Sequence, residues 1–481
     1  MSKNKNAARA DHQVIVVGAG FSGLCMAIQL KEAGYDDFVV LEKAGDIGGT
    51  WRDNIYPGCA CDVPSHLYSY SFAPNPRWSR MFAPQQEIWD YLKHCADKFG
   101  VTPHMRFNCE VERAEYDEQQ QIWHVTTHDG TELTTRIFVS GIGALSIPSY
   151  PKLPGLENFQ GEAFHSARWN HDYDLTGKRV AAIGTGASAI QFVPRIAPDV
   201  AQLDLYQRTP PWVLSKPDRR MTKIEKLLFK TLPVTQKLFR GGIYWWMESR
   251  VLGLAVDPRA MKLAELYGRH FIRRNIKDPE LRKKVTPDYT IGCKRILMSD
   301  EYYPSLNRDN VAVLTDGIQE VKANSIVDGK GVERPVDCII YGTGFKVSDP
   351  IGPMQIIGKG GEEIRDTWDE TGMEAYLGIS VTGFPNFFML LGPNTGLGHT
   401  SIVFMIEAQV NYVMQAVKKL LREDVGALDV KPEVQAGFNR RLQAQLEDAV
   451  WSSGGCESWY LDEFGKNRTL WPSFTFRYWM R

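Results

Sequence analysis

One pattern constrains this chain more than any other: a glycine-rich turn between a strand and a helix, present twice. An apolar run from His12 to Val17 leads into Gly18-Ala19-Gly20-Phe21-Ser22-Gly23, then into a helical segment through Ala33. A second apolar run, Phe38 to Leu41, ends at Glu42. The same order returns with Arg179 to Ile183, then Gly184-Thr185-Gly186-Ala187-Ser188-Ala189 and a helix, then Ala201 to Gln207 ending at Arg208. This is the strand–turn–helix–strand unit of a dinucleotide-binding fold, in which glycines let the backbone approach a pyrophosphate and let the helix pack on its strand. The helix N-terminus supplies N–H donors and the positive end of its dipole. One such loop is weak evidence; two, each correctly flanked, imply two bound nucleotides.

The end of each second strand selects its nucleotide. Glu42 follows Gly18 by 24 residues, and Arg208 follows Gly184 by the same 24. A carboxylate accepts hydrogen bonds from free ribose hydroxyls and repels a 2′-phosphate, whereas a guanidinium attracts that phosphate. The first unit is therefore expected to hold FAD and the second NADPH rather than NADH, with Thr209 adding a hydroxyl. Arg208 also has a plainer reading, a solvated charge at a strand end.

The chain has 481 residues, which suits two or three domains. An α/β chain is expected, with two Rossmann-like domains and an inserted helical subdomain. The expected division is 11–147 and 376–481 for the FAD domain, 155–211 and 292–375 for the NADP domain, and 212–291 for the insertion. The run Ser146 to Pro154 is proline-rich and reads as a stiff crossing between domains. The region 216–284 is basic and aromatic, with Tyr244-Trp245-Trp246. It reads as a helical subdomain or, more sharply, as an amphipathic surface that meets a membrane or an apolar substrate source. Helices are expected over 85–99, 399–421 and 432–450, and the aromatic tail is taken as a surface strand or turn.

A net charge of −1 gives no basic excess for nucleic acid. The polar start lacks the apolar core of a secretory signal, and no run is long enough to span a bilayer. The eight cysteines are scattered, with no zinc-type CxxC pair, and are read as reduced thiols of a cytoplasmic protein. A monomer or homodimer is expected.

Two longer motifs resemble the Baeyer–Villiger monooxygenase family. One is Phe159-x-Gly161-x-x-x-His165-x-x-x-Trp169, just before the second glycine loop, with Asn170 where the family has Pro or Asp. The other is Gly48-Gly49-Thr50-Trp51-x-x-x-x-Tyr56-Pro57-Gly58-x-x-x-Asp62. The resemblance runs from Val14 to about Trp471. It implies an enzyme that uses FAD, NADPH and O2 to convert a small carbonyl substrate into an ester or lactone through a C4a-peroxyflavin. Such a peroxide must stay anionic, which calls for a permanent cation beside it.

Gly292-Cys293-Lys294-Arg295 looks like the family's Lys–Arg pair. Arg295 is then the catalytic cation, Asp62 the carboxylate that holds it, and Lys294 a second partner for the 2′-phosphate. The FAD set implied is Gly18, Gly20, Phe21, Ser22, Gly23, Glu42, Lys43, Gly49, Thr50, Trp51, Asp62, Tyr68, Val111 and Asn394. The NADP set is Gly184, Thr185, Gly186, Ser188, Ala189, Arg208, Thr209, Lys294, Arg295 and Trp459. Trp459 also reads as a core residue, and the fingerprint His165 as structural or conformational. A helix starting near His399 is expected beside the flavin. Three alternatives stay open: an N- or S-oxygenase on the same scaffold, a disulfide reductase using Cys59 and Cys61, and a non-catalytic FAD-binding protein.

Overall fold

The computed structural model describes residues 10–347, 351–423 and 425–481. The polar N-terminal stretch, residues 1–9, lies outside them.

Two sheets organise the chain. In the first, His12–Val17 lies between Phe38–Leu41 and Glu132–Ser140, parallel to both. The short strand Met105–Arg106 extends one edge. The other side is antiparallel, with Ile122–Thr127 joined to Glu132–Ser140 and to Val111–Asp117. The parallel strands read as unbroken Val, Ile and Leu because helices and loops cover both faces, and Val14, Ile15 and Val16 have no exposed surface. The helix Phe21–Glu32 follows the first glycine loop and packs against the long helix Ile402–Arg422.

The second sheet has five parallel strands in the order Val311–Leu314, Gln202–Tyr206, Arg179–Ile183, Cys338–Tyr341, Glu162–His165. The fingerprint motif thus supplies an edge strand. Gly161 is required there, since a β-carbon would lie 2.5 Å from the Asp337 carbonyl oxygen. Asn170 closes the motif by donating to Glu162 at 2.8 Å and accepting from the Asp172 N–H at 3.0 Å. After this sheet the chain returns to the first one, where Phe387–Met389 pairs with Phe138, Val139 and Ser140.

The two crossings run side by side. Pro148 and Phe345 form an antiparallel bridge, Ser149 N–H donates to Gly344 at 2.9 Å, and Lys346 N–H donates to Ile147 at 2.9 Å. His165 is fully buried here, edge-on to Tyr150 and Phe345.

The inserted region is helical. Its neck is a two-stranded parallel pair, Val213–Leu214 with Leu297–Met298, and Trp212 donates to the Tyr289 carbonyl at 3.0 Å. Helices Lys223–Thr231, Pro233–Glu248, Met261–Asn275 and Pro279–Val285 fill it.

Two expectations need correction. The tail is a short helix, Thr475–Trp479, not a strand or turn. Its Thr475 N–H and hydroxyl bind the fully buried Glu248 carboxylate, which fixes the helix start on the insertion. Nor are all eight cysteines free thiols: Cys293 and Cys456 form a disulfide across 163 residues. That separation hides the pair from any spacing argument. Gly454 makes the approach possible, because a β-carbon there would stand 2.6 Å from that of Cys293.

Candidate active site

The first glycine loop is locked by contacts only glycine permits. Gly18 has φ +95° and lies against the Gly141 backbone, and a β-carbon on Gly23 would fall 1.8 Å from the Gly18 carbonyl oxygen. Gly20 and Gly49 instead face each other: a β-carbon on Gly49 would sit 3.2 Å from the Gly20 Cα and fill the gap between them. Phe21 and Ser22 are buried, and Phe21 packs edge-on to Tyr68.

Glu42 is buried immediately after its strand. It accepts from Ala19 N–H at 2.8 Å, Ala44 N–H at 3.0 Å and the Arg52 guanidinium at 3.0 Å. Its carboxylate is thus aimed at the glycine loop. Lys43 is exposed, and Val111 is buried at the start of its strand.

The loop after Glu42 leads into a short helix, Thr50–Asp53, where Trp51 donates to the Tyr68 hydroxyl at 3.0 Å. The loop then crosses to the second unit. Gln191, on the helix Ala189–Ile196 after the second glycine loop, accepts from the Tyr56 hydroxyl at 3.0 Å and from Ala60 N–H at 3.2 Å, and donates to the Ala60 carbonyl at 3.0 Å. Gly58 is needed for this approach, since its β-carbon would lie 2.8 Å from the Gln191 carbonyl oxygen.

That crossing delivers Asp62 to Arg295. The Arg295 Nε and Nη2 both donate to one Asp62 oxygen, at 2.9 and 2.6 Å, and Nη1 donates to the Leu397 carbonyl at 3.4 Å. Arg295 keeps 35% and Asp62 27% of their side-chain surface accessible, so the pair is half-buried and faces open space on one side.

Burial opposes the Asp62 charge, but Arg295 outweighs it and holds the carboxyl below the usual carboxylate range. The nearby Asp62 carboxylate raises the Arg295 pKa further, so the guanidinium never loses its proton. Lys216 and Arg250 also act on this pair. Three cations around one carboxylate leave the surroundings of the pair electropositive.

At the second glycine loop, Gly184 has φ +104° and presses on the Gly342 backbone, while the nearest atom to a β-carbon on Gly186 would be 3.9 Å away. The backbone at Gly186 is therefore approachable. The helix begins at Ala189 with Ser188 before it, and Thr185 donates to the Thr209 carbonyl at 3.3 Å. Arg208 is exposed. Burial and the Arg208 charge both push the Lys294 amine below its ordinary value. Two cations held near each other make a place for an anion.

Trp459 is half exposed and lies against Tyr460 with the two rings tilted, which removes its reading as a core residue. Asn394, with φ +57°, donates to the Asn467 carbonyl at 2.8 Å, and its side-chain oxygen is buried without a partner. The neighbouring helix starts at Ile402, capped by Ser401, rather than at His399.

Three residues of this architecture carry no signal in the motifs: Gln191, Lys216 and Arg250. Gln191 sits on a helix and Arg250 in the turn after one, places where a polar residue is ordinary. Tyr460, next to Trp459, belongs to a stretch that the resemblance does mark. Cys59 and Cys61 are free, buried thiols, and burial pushes the Cys59 thiol up to about 12, far from a reactive thiolate.

Comparison with known proteins agrees with this arrangement. A family model described as flavin-binding monooxygenase-like matches residues 11–358. A Baeyer–Villiger monooxygenase of Pseudomonas aeruginosa is 55% identical over 99% of this chain and 91% of that protein. One of Streptomyces coelicolor is 49% identical over 96% of this chain and 89% of that protein. Among solved structures, an oxidised steroid monooxygenase bound to NADP superposes with a TM-score of 0.87 at 30% identity, covering 98% of this chain and 96% of that one. A cyclohexanone monooxygenase from Rhodococcus sp. Phi1 bound to NADP+ gives 0.88 at 28% identity, covering 98% and 97%. With two glycine loops, a family match over residues 11–358 and relatives at 55% and 49% identity, this chain belongs to the flavin-binding monooxygenase-like family.

Proposed function

We propose that this protein is an FAD-containing, NADPH-dependent Baeyer–Villiger monooxygenase: ketone, O2, NADPH and a proton give ester or lactone, water and NADP+. The observation that carries the proposal is the half-buried Arg295–Asp62 pair, flanked by the further cations Lys216 and Arg250. The kinship with the Pseudomonas and Streptomyces enzymes supports it.

The residues present fit both cofactors. The gap between Gly20 and Gly49, the Glu42 carboxylate aimed at the loop and the unpartnered Asn394 oxygen suit a flavin dinucleotide held at the first unit. Phe21, Ser22, Thr50, Trp51 and Tyr68 would line it. The open backbone at Gly186 and the paired cations Arg208 and Lys294 suit the pyrophosphate and 2′-phosphate of NADPH.

When bound, the flavin takes two electrons from NADPH, activates O2 and passes one oxygen atom to the substrate. Arg295 stabilises negative charge where it develops. A guanidinium has five N–H donors. Asp62 engages two and Leu397 one, so two remain for the carbonyl oxygen as it gains charge. Asp62 fixes the fork and, by sharing its charge, limits how tightly it grips an anion. Partial burial of the pair strengthens these interactions. Use of NADPH fits work in the cytoplasm, and no described helix is long and apolar enough to cross a membrane.

The test is product identification. Holoenzyme with NADPH and O2 is offered cyclic, linear and aryl ketones beside amines and sulfides. Esters or lactones are expected; exclusive oxidation of amines or sulfides would overturn the assignment.

A further inference from the structure

The reaction leaves one feature of the insertion unused. Helices Lys223–Thr231 and Pro233–Glu248 pack on each other as a hairpin joined at Leu232. Its inner face is anchored: Phe229 is buried, Gln236 donates to the Asn75 carbonyl at 2.9 Å, and the Arg240 guanidinium donates to the His66 and Ser69 carbonyls at 2.6 and 2.9 Å. Its outer face is apolar and open. Ile224 and Leu227 lie one turn apart on the first helix, Val234, Leu238 and Trp245 share a side of the second, and Leu232 sits at the tip. Ile224 and Leu238 are 71% and 72% exposed and Trp245 60%, values rare for such side chains. The C-terminal helix adds to this face, because Phe476 packs on Trp245 and the exposed Trp479 follows one turn later.

Charge says what covers it. Over 222–240 there are five cations, Lys223, Lys226, Lys230, Lys237 and Arg240, and one carboxylate, Glu225. Glu225 is already used, paired with Arg219 at 2.6 Å and closing the capping box with Thr222. Among the described residues, no carboxylate forms an ion pair with any of the four lysines. A second copy of this face would bring lysines against lysines. An apolar helical face rimmed by unpaired lysines suits a surface that is greasy within and anionic at its boundary.

We propose that the 223–248 hairpin docks this enzyme on the surface of an anionic lipid bilayer, its leucines and Trp245 entering the headgroup boundary and its lysines meeting lipid phosphates. The hairpin's inner side rests on the segment 66–75, shortly after Asp62. Docking therefore sets the body of the enzyme against a reservoir of apolar ketones. The proposal is independent of the reaction assigned above, since its readout is binding.

Full-length holoenzyme is spun with phosphatidylcholine vesicles and with vesicles containing about one third phosphatidylglycerol. Binding to the anionic vesicles is expected to be at least about tenfold tighter and to weaken at least tenfold in about 0.5 M NaCl. Leu227→Asp with Leu238→Asp, and separately Lys223→Glu with Lys226→Glu and Lys230→Glu, should each cut vesicle binding about tenfold while flavin absorbance and far-ultraviolet dichroism stay unchanged. All of these side chains but the half-buried Lys226 are exposed, so both variants should fold. Absence of binding to either vesicle would overturn the proposal. So would equal binding to both, or self-association abolished by the leucine substitutions with no vesicle binding.

Discussion

Arg295→Ala gives the sharpest test of the site. The substitution removes a guanidinium whose Nε and Nη2 bonds to Asp62 measure 2.9 and 2.6 Å, and with it the two donors left for an oxyanion. Loss of one preorganised donor at a developing oxyanion costs about 10²–10³ in rate, roughly 3–4 kcal/mol. Here donors and a fixed charge go together, so ester formation should fall at least about a thousandfold. Lys216 and Arg250 remain near Asp62 and limit the rise in its pKa, which protects the fold. In the proposed assignment NADPH is held by Arg208 and Lys294, so hydride transfer should survive within about tenfold.

The assay separates the two steps. Anaerobic mixing with NADPH follows flavin bleaching, and aerobic turnover with a ketone is read by ester mass and by H2O2. The expected variant bleaches, consumes O2 and releases H2O2 without ester. Arg295→Lys restores charge but cannot make both bonds to Asp62, so it should recover only a small part of the activity. Ester formation near the wild-type rate in Arg295→Ala would refute the reasoning.

Further outcomes follow from the same geometry. Arg208→Gln should raise the KM for NADPH about 10–100-fold and leave that for NADH nearly unchanged, as steady-state kinetics with each will show. His66 is buried against Phe229 and Phe239, and burial lowers its pKa from 6.5 to about 4. Between those values the unfolded chain binds more protons, so stability falls as pH falls. The loss from pH 6.5 to 5 is about 2 kcal/mol, and urea unfolding of His66→Phe should show a shallower pH dependence. Gly23→Ala places a β-carbon 1.8 Å from a backbone oxygen, so the helix must lift off its strand. Thermal unfolding should show a loss of about 3 kcal/mol or more, with FAD released on purification.

The two glycine units were legible because their geometry is local: a strand, a turn and a helix within some twenty residues force glycine at fixed places. The positions of Glu42 and Arg208, just past the ends of the second strands, were legible for the same reason. Arg295 and Asp62 were not, on spacing alone. They stand 233 positions apart, and only likeness to a family joined them before the fold did. Cys293 and Cys456 show the opposite outcome, since no family likeness flagged them and they were read as free. Gln191 escaped notice because a helical glutamine is unremarkable until the opposing loop is known. The tail was misread because its aromatic run lacks helical periodicity, and Glu248 supplies from afar what the local sequence lacks.

The paired crossings at Pro148 and Phe345 have a mechanical consequence. A single ribbon would let the five-stranded sheet swivel about any direction. Two ribbons hydrogen-bonded side by side resist twisting and sideways shear, and yield most easily by bending about the line between them, as a door leaf turns on its pin. His165 is wedged at that pin between Tyr150 and Phe345. Any swing of the five-stranded sheet about these crossings is thereby narrowed to a single arc, with the His165 ring packed at its axis.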